Sequence, residues 1–192
     1  KTNIGSPMPK FTFGWTNTFR YKNFDLSVFI NGSYGNKVYN YLSMKLTHMN
    51  SPWTNQLNAV NGRAQLVPIN PNKVYEDGTM WYNDVSNVMV ANPGASIPRA
   101  TINDPNDNDR ISDRYIEDGS YIRLKNISLG YTFPKKTIDK LGLSNLRIYA
   151  NIQNLLTITG YDGYDPEIGA STSSVNVYGL DNGRYPSPTV YS

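Results

Sequence analysis

Residues 120–133 read SYIRLKNISLGYTF, and their side chains alternate between apolar and polar with the period of a two-faced β-strand. One row is apolar and contains Ile127, Leu129, Tyr131 and Phe133. The other row contains Asn126, Ser128, Gly130 and Thr132. Ile122 and Leu124 fall on the opposite parity, which indicates either a bulge near Lys125 or a strand end that rises clear of the apolar band. We therefore expect a long strand with one apolar face.

The rest of the chain repeats this pattern. The predicted strands are 10–20, 24–34, 120–133 and 145–157, with the start of a last strand near residue 189. The predicted short turns are 21–23 and 134–144, and the predicted long loops are 35–119 and 158–188. Such strands are longer than the roughly five or six residues usual in soluble sheets. Short turns at one end and long loops at the other are typical of an outer-membrane barrel, whose short turns are periplasmic and whose long loops are extracellular.

The composition fits an all-β protein. Aromatic residues make up 12% and charged residues 17% of the 192 residues, so the chain is too aromatic and too weakly charged for a disordered one. No apolar run is long enough for a transmembrane helix, whereas a barrel strand needs only about 10 alternating residues. The net charge of +3 is small and scattered, which argues against nucleic acid as a partner. Because the chain has no cysteine, disulfides and thiolate sites are excluded.

Residues 118–134, DGSYIRLKNISLGYTFP, resemble a signature near the C-terminus of SusC/RagA-type TonB-dependent outer-membrane transporters. The segments similar to the family's following strand, loop and approach to the last strand are LRIY (146–149), QNL (153–155), GYDPE (163–167) and YP (185–186). The features that resemble the preceding hairpin are Pro9, Phe11, Gly14, the strand at 24–30 and GSYGN (32–36). The resemblance covers nearly the whole chain.

This resemblance implies that the chain is the C-terminal segment of a transmembrane antiparallel β-barrel of about 22 strands with long extracellular loops. It implies a nutrient importer of the bacterial outer membrane, in contact with lipid and energised by TonB through an N-terminal plug that residues 1–192 do not include. A SusD-like lipoprotein would cover the barrel, and the substrates would be oligosaccharides or oligopeptides. The alternatives are a secreted or surface β-sandwich that binds glycans and an outer-membrane enzyme.

Aromatic residues of the predicted outer loops are the ligand-binding candidates, because flat rings stack on sugar rings or on peptide side chains. They are Trp53, Tyr75, Trp81, Tyr82, Tyr161 and Tyr164. The alternative for each residue is burial against its own loop.

Two other patterns suggest chemistry. The segment 103–110, NDPNDNDR, places oxygen-bearing side chains as a calcium loop does, but Asp109 and Tyr115 stand where an EF-hand needs glycine and glutamate. We therefore predict a solvated turn and no metal. His48 has no nucleophile pattern near it. The loop carboxylates that could furnish a glycosidase pair are Glu117, Asp118, Asp162, Asp165 and Glu167. Strand entry and loop structure explain them better, so no catalytic residue and no cofactor are predicted.

A membrane barrel separates the strand side chains into a lipid face and a lumen face. The expected lipid-facing residues are Phe11, Phe13, Trp15, Phe24, Leu26, Val28, Ile30, Leu146, Ile148 and Ile152. The expected lumen-facing residues are Thr12, Thr16, Ser27, Arg147 and Asn151. The loop 35–119 exceeds the usual length of a connection, so we expect it to be an ordered outer structure that carries lid contacts and part of the ligand pocket.

Overall fold

A computed structural model describes residues 2–104, 106–168 and 178–192. The chain divides into two compact units. The first, here called the sheet unit, contains residues 1–41 and 113–192, and the second, the loop unit, contains residues 42–112. Residues 169–177 of the predicted loop 158–188 lie outside the described residues. Among the described residues, no helix combines the length and the apolar character needed to cross a bilayer.

The described residues form ten strands, two short helices and four 3-10 turns. The strands are β1 (Phe11–Tyr21), β2 (Phe24–Tyr34), β3 (Lys37–Asn40), β4 (Leu66–Pro68), β5 (Val88–Val90), β6 (Ile116–Asp118), β7 (Tyr121–Thr132), β8 (Arg147–Thr159), β9 (Leu180–Asp181) and β10 (Val190–Tyr191). The helices are α1 (Tyr41–Thr47) and α2 (Lys135–Ile138). The 3-10 turns are Asn58–Gly62, Trp81–Asn83, Asp113–Tyr115 and Asp139–Leu141.

The main sheet belongs to the sheet unit and has the strand order β1-β2-β7-β8-β10, with every neighbouring pair antiparallel. Strand β2 occupies the residues expected for it, and β1 and β7 differ from the expected bounds by one residue. Strand β8 begins and ends two residues later than expected. Leu146 therefore precedes the strand, and its carbonyl accepts a hydrogen bond from the Phe133 N–H at 2.9 Å. The expectation that Leu146 is a strand residue is wrong, and its position on the lipid face stays a prediction.

The strand register collects the apolar side chains on one face of the main sheet, because directly paired residues share a face. Phe24 pairs with Tyr131, which pairs with Ile148, and the same face carries the pairs of Val28 with Ile127 and of Ile127 with Ile152. This face is open: Trp15 is 52% exposed, Phe24 51% and Leu129 47%. A two-sheet sandwich would bury such a row in its core. The β-sandwich alternative is therefore wrong.

A bulge in β7 explains why the apolar parity changes along that strand. Phe29 pairs with Asn126 whereas the next residue of β2, Ile30, pairs with Leu124, so that Lys125 is the extra residue. An extra residue shifts the pleat by one position and returns Ile122 and Leu124 to the apolar face. Of the two explanations offered for the parity change, the bulge is confirmed.

Smaller elements complete the sheet unit at the two ends of the main strands. Strand β3 pairs antiparallel with β6 and parallel with β9, and Val38 of β3 is only 1% exposed. At the other end, the connection 134–144 contains α2, which buries Ile138 to 2% exposure. The predicted turn 21–23 is a two-residue connection whose Lys22 has a φ of 51°. These elements close the ends of the strands.

The loop unit has its own folded structure. Strands β4 and β5 form an antiparallel hairpin, in which Leu66 pairs with Val90. The backbone N–H of Thr101 donates to the Met49 carbonyl at 3.2 Å, so the beginning and the end of the unit lie side by side. The length of the predicted loop 35–119 is therefore taken up largely by ordered structure.

Candidate functional site

Four charged side chains form a cluster on the polar face of the main sheet, here called the polar-face cluster: Arg123, Lys125, Asp165 and Glu167. Arg123 of β7 is 2% exposed and donates to Asp165, to Glu167 Oε2 at 2.7 Å and to Thr157 Oγ1 at 2.9 Å. Lys125 Nζ lies 3.1 Å from the same Glu167 oxygen. The cluster attaches the segment after β8 to the sheet through charge-assisted hydrogen bonds.

Asp165 is held in its charged form. Burial raises the pKa of this carboxyl, but the hydrogen bonds from the Ser187 N–H, from Arg123 and from the Glu167 N–H outweigh burial, so the net pKa lies below the ordinary value. The Ser187 N–H donates to Oδ2 at 3.0 Å and the Glu167 N–H to Oδ1 at 2.9 Å. Asp165 therefore binds two stretches of the segment that follows β8, at Glu167 and Ser187, and one strand at once.

Tyr161 is a buried structural residue and not an open stacking surface. It is 6% exposed, and its hydroxyl donates to Asp181 Oδ2 at 2.5 Å. Burial and this hydrogen bond raise the pKa of the Tyr161 hydroxyl. Asp181 is itself 1% exposed and accepts from the Gly183 N–H at 2.9 Å. Tyr164, by contrast, is 63% exposed.

Two of the remaining carboxylates considered for a glycosidase pair, Glu117 and Asp118, have structural partners in the sheet unit. Glu117 accepts from Asn40 Nδ2 at 2.8 Å and from the Asp162 N–H at 3.0 Å. Asp118 accepts from the Ser120 N–H at 2.8 Å and lies 3.3 Å from Lys37 Nζ. These contacts hold the chain where it enters β7 and where it leaves β8. The sequence predicts this structural role for these acids.

Three of the six candidate aromatic residues lie together in the loop unit. The Tyr75 hydroxyl donates to Asp84 Oδ2 at 2.9 Å and accepts from Asn87 Nδ2 at the same distance. Lys73 Nζ lies 2.6 Å from the Asp84 oxygen, and this hydrogen bond is the largest of those that lower the Asp84 pKa. Tyr75 and Trp81 line one cleft of about 620 Å³. The two hydrogen bonds to its hydroxyl hold the Tyr75 ring in place as part of the cleft lining.

Trp81 also borders a larger cleft of about 920 Å³, together with Tyr82. The two rings meet edge to face, with centroids 5.7 Å apart and an interplanar angle of 80°. Trp81 is 36% exposed and Tyr82 44%, so part of each ring is open to a ligand. Trp53 is 93% exposed and lines neither cleft. The structure thus groups Tyr75, Trp81 and Tyr82 around neighbouring clefts.

Sequence reasoning missed two residues of the larger cleft, Arg63 and Arg99, which line it with Trp81 and Tyr82. The two arginines are far apart in the sequence, and only the folding of the loop unit brings them to one cleft. It also missed the polar-face cluster, although Arg123, Asp165 and Glu167 all lie in the quoted family segments. A lone arginine among apolar strand residues is the available signal, since it needs a buried acid as partner.

One group in the loop unit has the composition of a metal site. The ligand atoms of His48, Asp104 and Asp109 lie within 4.8 Å of one another. Asp104 is buried, and its carboxylate accepts from Asn108 Nδ2 at 2.7 Å and lies 3.0 Å from His48 Nε2. These protein partners satisfy the Asp104 carboxylate by hydrogen bonding.

The amino-acid sequence of the chain is similar to those of several TonB-dependent receptors. No family model matches the chain. TonB-dependent receptor P3 of Formosa agariphila is 35% identical over 98% of the chain and 16% of the relative. TonB-dependent receptor P26 of the same organism is 32% identical over 96% of the chain, and TonB-dependent receptor SusC of Bacteroides thetaiotaomicron is 29% identical over 90%. The chain spans about a sixth of the length of the first two relatives and less of SusC.

The fold of the chain is also similar to that of solved structures. The RagAB peptide importer in its closed-closed state matches 97% of the chain with a TM-score of 0.64 and 21% identity, and the match covers 17% of that chain. A structure of the RagAB peptide transporter matches the same share with a TM-score of 0.65 and 19% identity. Together with the open apolar face and the quoted signature segments, these similarities establish that the chain belongs to the SusC/RagA-type TonB-dependent receptors of the bacterial outer membrane and forms part of their β-barrel.

Proposed function

We propose that the full-length protein is a TonB-energised importer of oligosaccharides or oligopeptides. The main sheet supports this proposal because it separates an open apolar face from a polar face that carries a buried ionic cluster. An apolar outer band and a polar interior are the arrangement of an outer-membrane transport barrel. The chain is then the C-terminal part of the barrel, the connections at 21–23 and 134–144 are periplasmic, and residues 35–119 and 158–188 are extracellular.

A SusD-like lipoprotein is the proposed outer partner, and TonB would act through a plug domain outside this chain. The loop unit supports the first part of this proposal, because it is a folded structure that exposes large apolar side chains. Val74 is 81% exposed and Val85 90%, besides the open Trp53. Large apolar side chains left exposed on a folded loop offer contact area to a partner. The loop unit would therefore carry lid contacts as well as part of the ligand pocket.

Deleting residues 52–98 from the full-length transporter tests this assignment. Met49 and Thr101 are joined by a backbone hydrogen bond, so a short Gly-Ser linker can close the gap without pulling on the sheet unit. We expect the variant to insert into the outer membrane, as measured by heat-modifiable migration on gels, but to lose uptake or lipoprotein binding. A matched control inserts the same linker at Gly78 without a deletion. Unchanged uptake and lipoprotein binding by the inserted deletion variant would contradict the proposal.

A further inference from the structure

The larger cleft of the loop unit combines two arginines with open aromatic rings. Its volume of about 920 Å³ lies in the range of small-molecule sites, which is about 300–1,000 Å³. Arg63 and Arg99 are its charged lining residues among the described residues, and no aspartate or glutamate lines it. The cleft therefore presents positive charge beside the Trp81 and Tyr82 rings.

Both guanidinium groups are available to a ligand. In the described part of the chain, neither Arg63 nor Arg99 has a carboxylate within 4.0 Å. The acids that follow the lining residues in sequence are engaged elsewhere, Asp84 with Lys73 and Asp104 with His48. Such half-buried cations have lost part of their hydration without gaining a carboxylate partner among the described residues, which favours an anion as ligand.

Hydrogen bonds hold the backbone that carries the two arginines. Asn92 Nδ2 donates to the Arg63 carbonyl at 2.9 Å, and the Ala64 N–H donates to the Ile97 carbonyl at the same distance. These bonds hold the backbone of Arg63 against the segment that leads to Arg99. Arg63 Nη1 also donates to the Val60 carbonyl at 3.3 Å, which orients the side chain and leaves its other donors free for a ligand. Because this backbone is already held in place, less conformational entropy is lost when a ligand binds.

We propose that this cleft binds an acidic oligosaccharide, with sugar carboxylates on Arg63 and Arg99. This inference rests on the importer function proposed above and specifies its substrate class. Guanidinium groups pair with carboxylates, and the exposed ring surfaces of Trp81 and Tyr82 stack on sugar rings. Three polar lining residues offer amide and hydroxyl groups to sugar hydroxyls: Gln65, Asn83 and Thr101. An acidic peptide would satisfy the arginines but would use fewer of these groups, so the observations favour the sugar.

Calorimetry on the purified full-length transporter tests the proposal. The probes are a panel of uronic-acid trisaccharides, their carboxyl-reduced neutral counterparts and a triglutamate peptide. We expect at least one uronic-acid trisaccharide to bind at least tenfold more tightly than its neutral counterpart and than triglutamate. Arg63→Gln and Arg99→Gln should each weaken that binding by roughly tenfold or more, since a hydrogen bond between charged groups is worth about 1.5–3 kcal/mol. Arg110→Gln, at an exposed arginine of the loop unit that lines neither cleft, is the matched control and should bind as the wild type does.

The outcomes separate the two proposals. Equal affinity for acidic and neutral sugars, preference for triglutamate, or no binding of any uronic-acid trisaccharide overturns the cleft assignment, even where uptake of other nutrients upholds the importer. Full loss of binding in a variant that migrates as unfolded is checked with Arg99→Lys, which keeps the charge and should retain most of the affinity. Failure of the wild type to take up any oligosaccharide or peptide would overturn the importer function itself.

Discussion

Arg147 Nη2 lies 2.7 Å from Asp25 Oδ2, although β7 separates the strands that carry the two residues. Gly130 of β7 makes this contact possible. A Cβ atom at Gly130 would overlap Arg147 Nη2 and would lie 2.7 Å from Asp25 Oδ1. The absence of a side chain thus opens the space in which an ion pair links β2 to β8 across β7 on the polar face.

Replacing Gly130 with alanine should destabilise the barrel by up to about 1 kcal/mol, because the added methyl group displaces the ends of two flexible, partly exposed side chains and separates their ion pair. The measurement is the urea midpoint of the full-length transporter in detergent. Gly160 is the matched control, because a Cβ atom there meets no other atom within 4 Å. Equal midpoints for Gly130→Ala and Gly160→Ala would show that the glycine does not serve this ion pair.

The two ion-paired arginines of the polar face should differ in their contribution to stability. Arg123→Met leaves Asp165 buried without its cation, which typically costs about 3–5 kcal/mol. Arg147→Met breaks a pair whose side chains are 42% and 30% exposed, and such pairs contribute about 0–1 kcal/mol. Hydrogen exchange should therefore speed up at 161–168 in the first variant and stay near the wild-type rate in the second. Equal protection of this segment in both variants would contradict the central role of Arg123.

Acid should weaken the attachment of the segment that follows β8, because this attachment depends on Asp165. Because its folded-state pKa is lowered, its contribution is fully present above the unfolded aspartate pKa of about 3.9 and is lost as the pH falls through the folded-state value. Calorimetric melting of the wild type between pH 6 and pH 3 should show a decline in Tm. Asp165→Asn should start from a lower Tm and show a smaller decline. Parallel pH profiles for the two proteins would exclude Asp165 as the group responsible.

The main strands could be predicted from the sequence because their signal is local. Alternation gave the bounds of β2 and brought β1 and β7 to within one residue, and the change of parity near Lys125 indicated the bulge. The start of β8 was predicted less accurately, since Leu146 is apolar and continues the alternation before the first strand residue. A strand can be predicted from the sequence where the alternation of its own side chains determines its position.

Contacts between distant residues could not be predicted in the same way. Arg123 and Asp165 are 42 residues apart, and the parallel pair of Tyr39 with Leu180 spans a still longer stretch. Tyr161 is an aromatic loop residue of the type that stacks on ligands. In the structure it is buried, and its hydroxyl bonds to Asp181. The grouping of Trp81 with Arg99 likewise depends on how the loop unit folds. These features need the tertiary structure because no period in the sequence encodes them.

The assignment of the two faces of the main sheet is the central claim, and spin labels at neighbouring positions of β2 test it most directly. The chain has no cysteine, so Val28→Cys and Ser27→Cys would each add one attachment site to it. Val28 pairs with Ile127 on the apolar face, and Ser27 pairs with Ser128 on the polar face. In liposomes, the label at position 28 should be relaxed mainly by oxygen dissolved in lipid, and the label at position 27 mainly by a water-soluble nickel complex. Equal or reversed accessibility at the two positions would contradict a barrel wall with its apolar face in lipid.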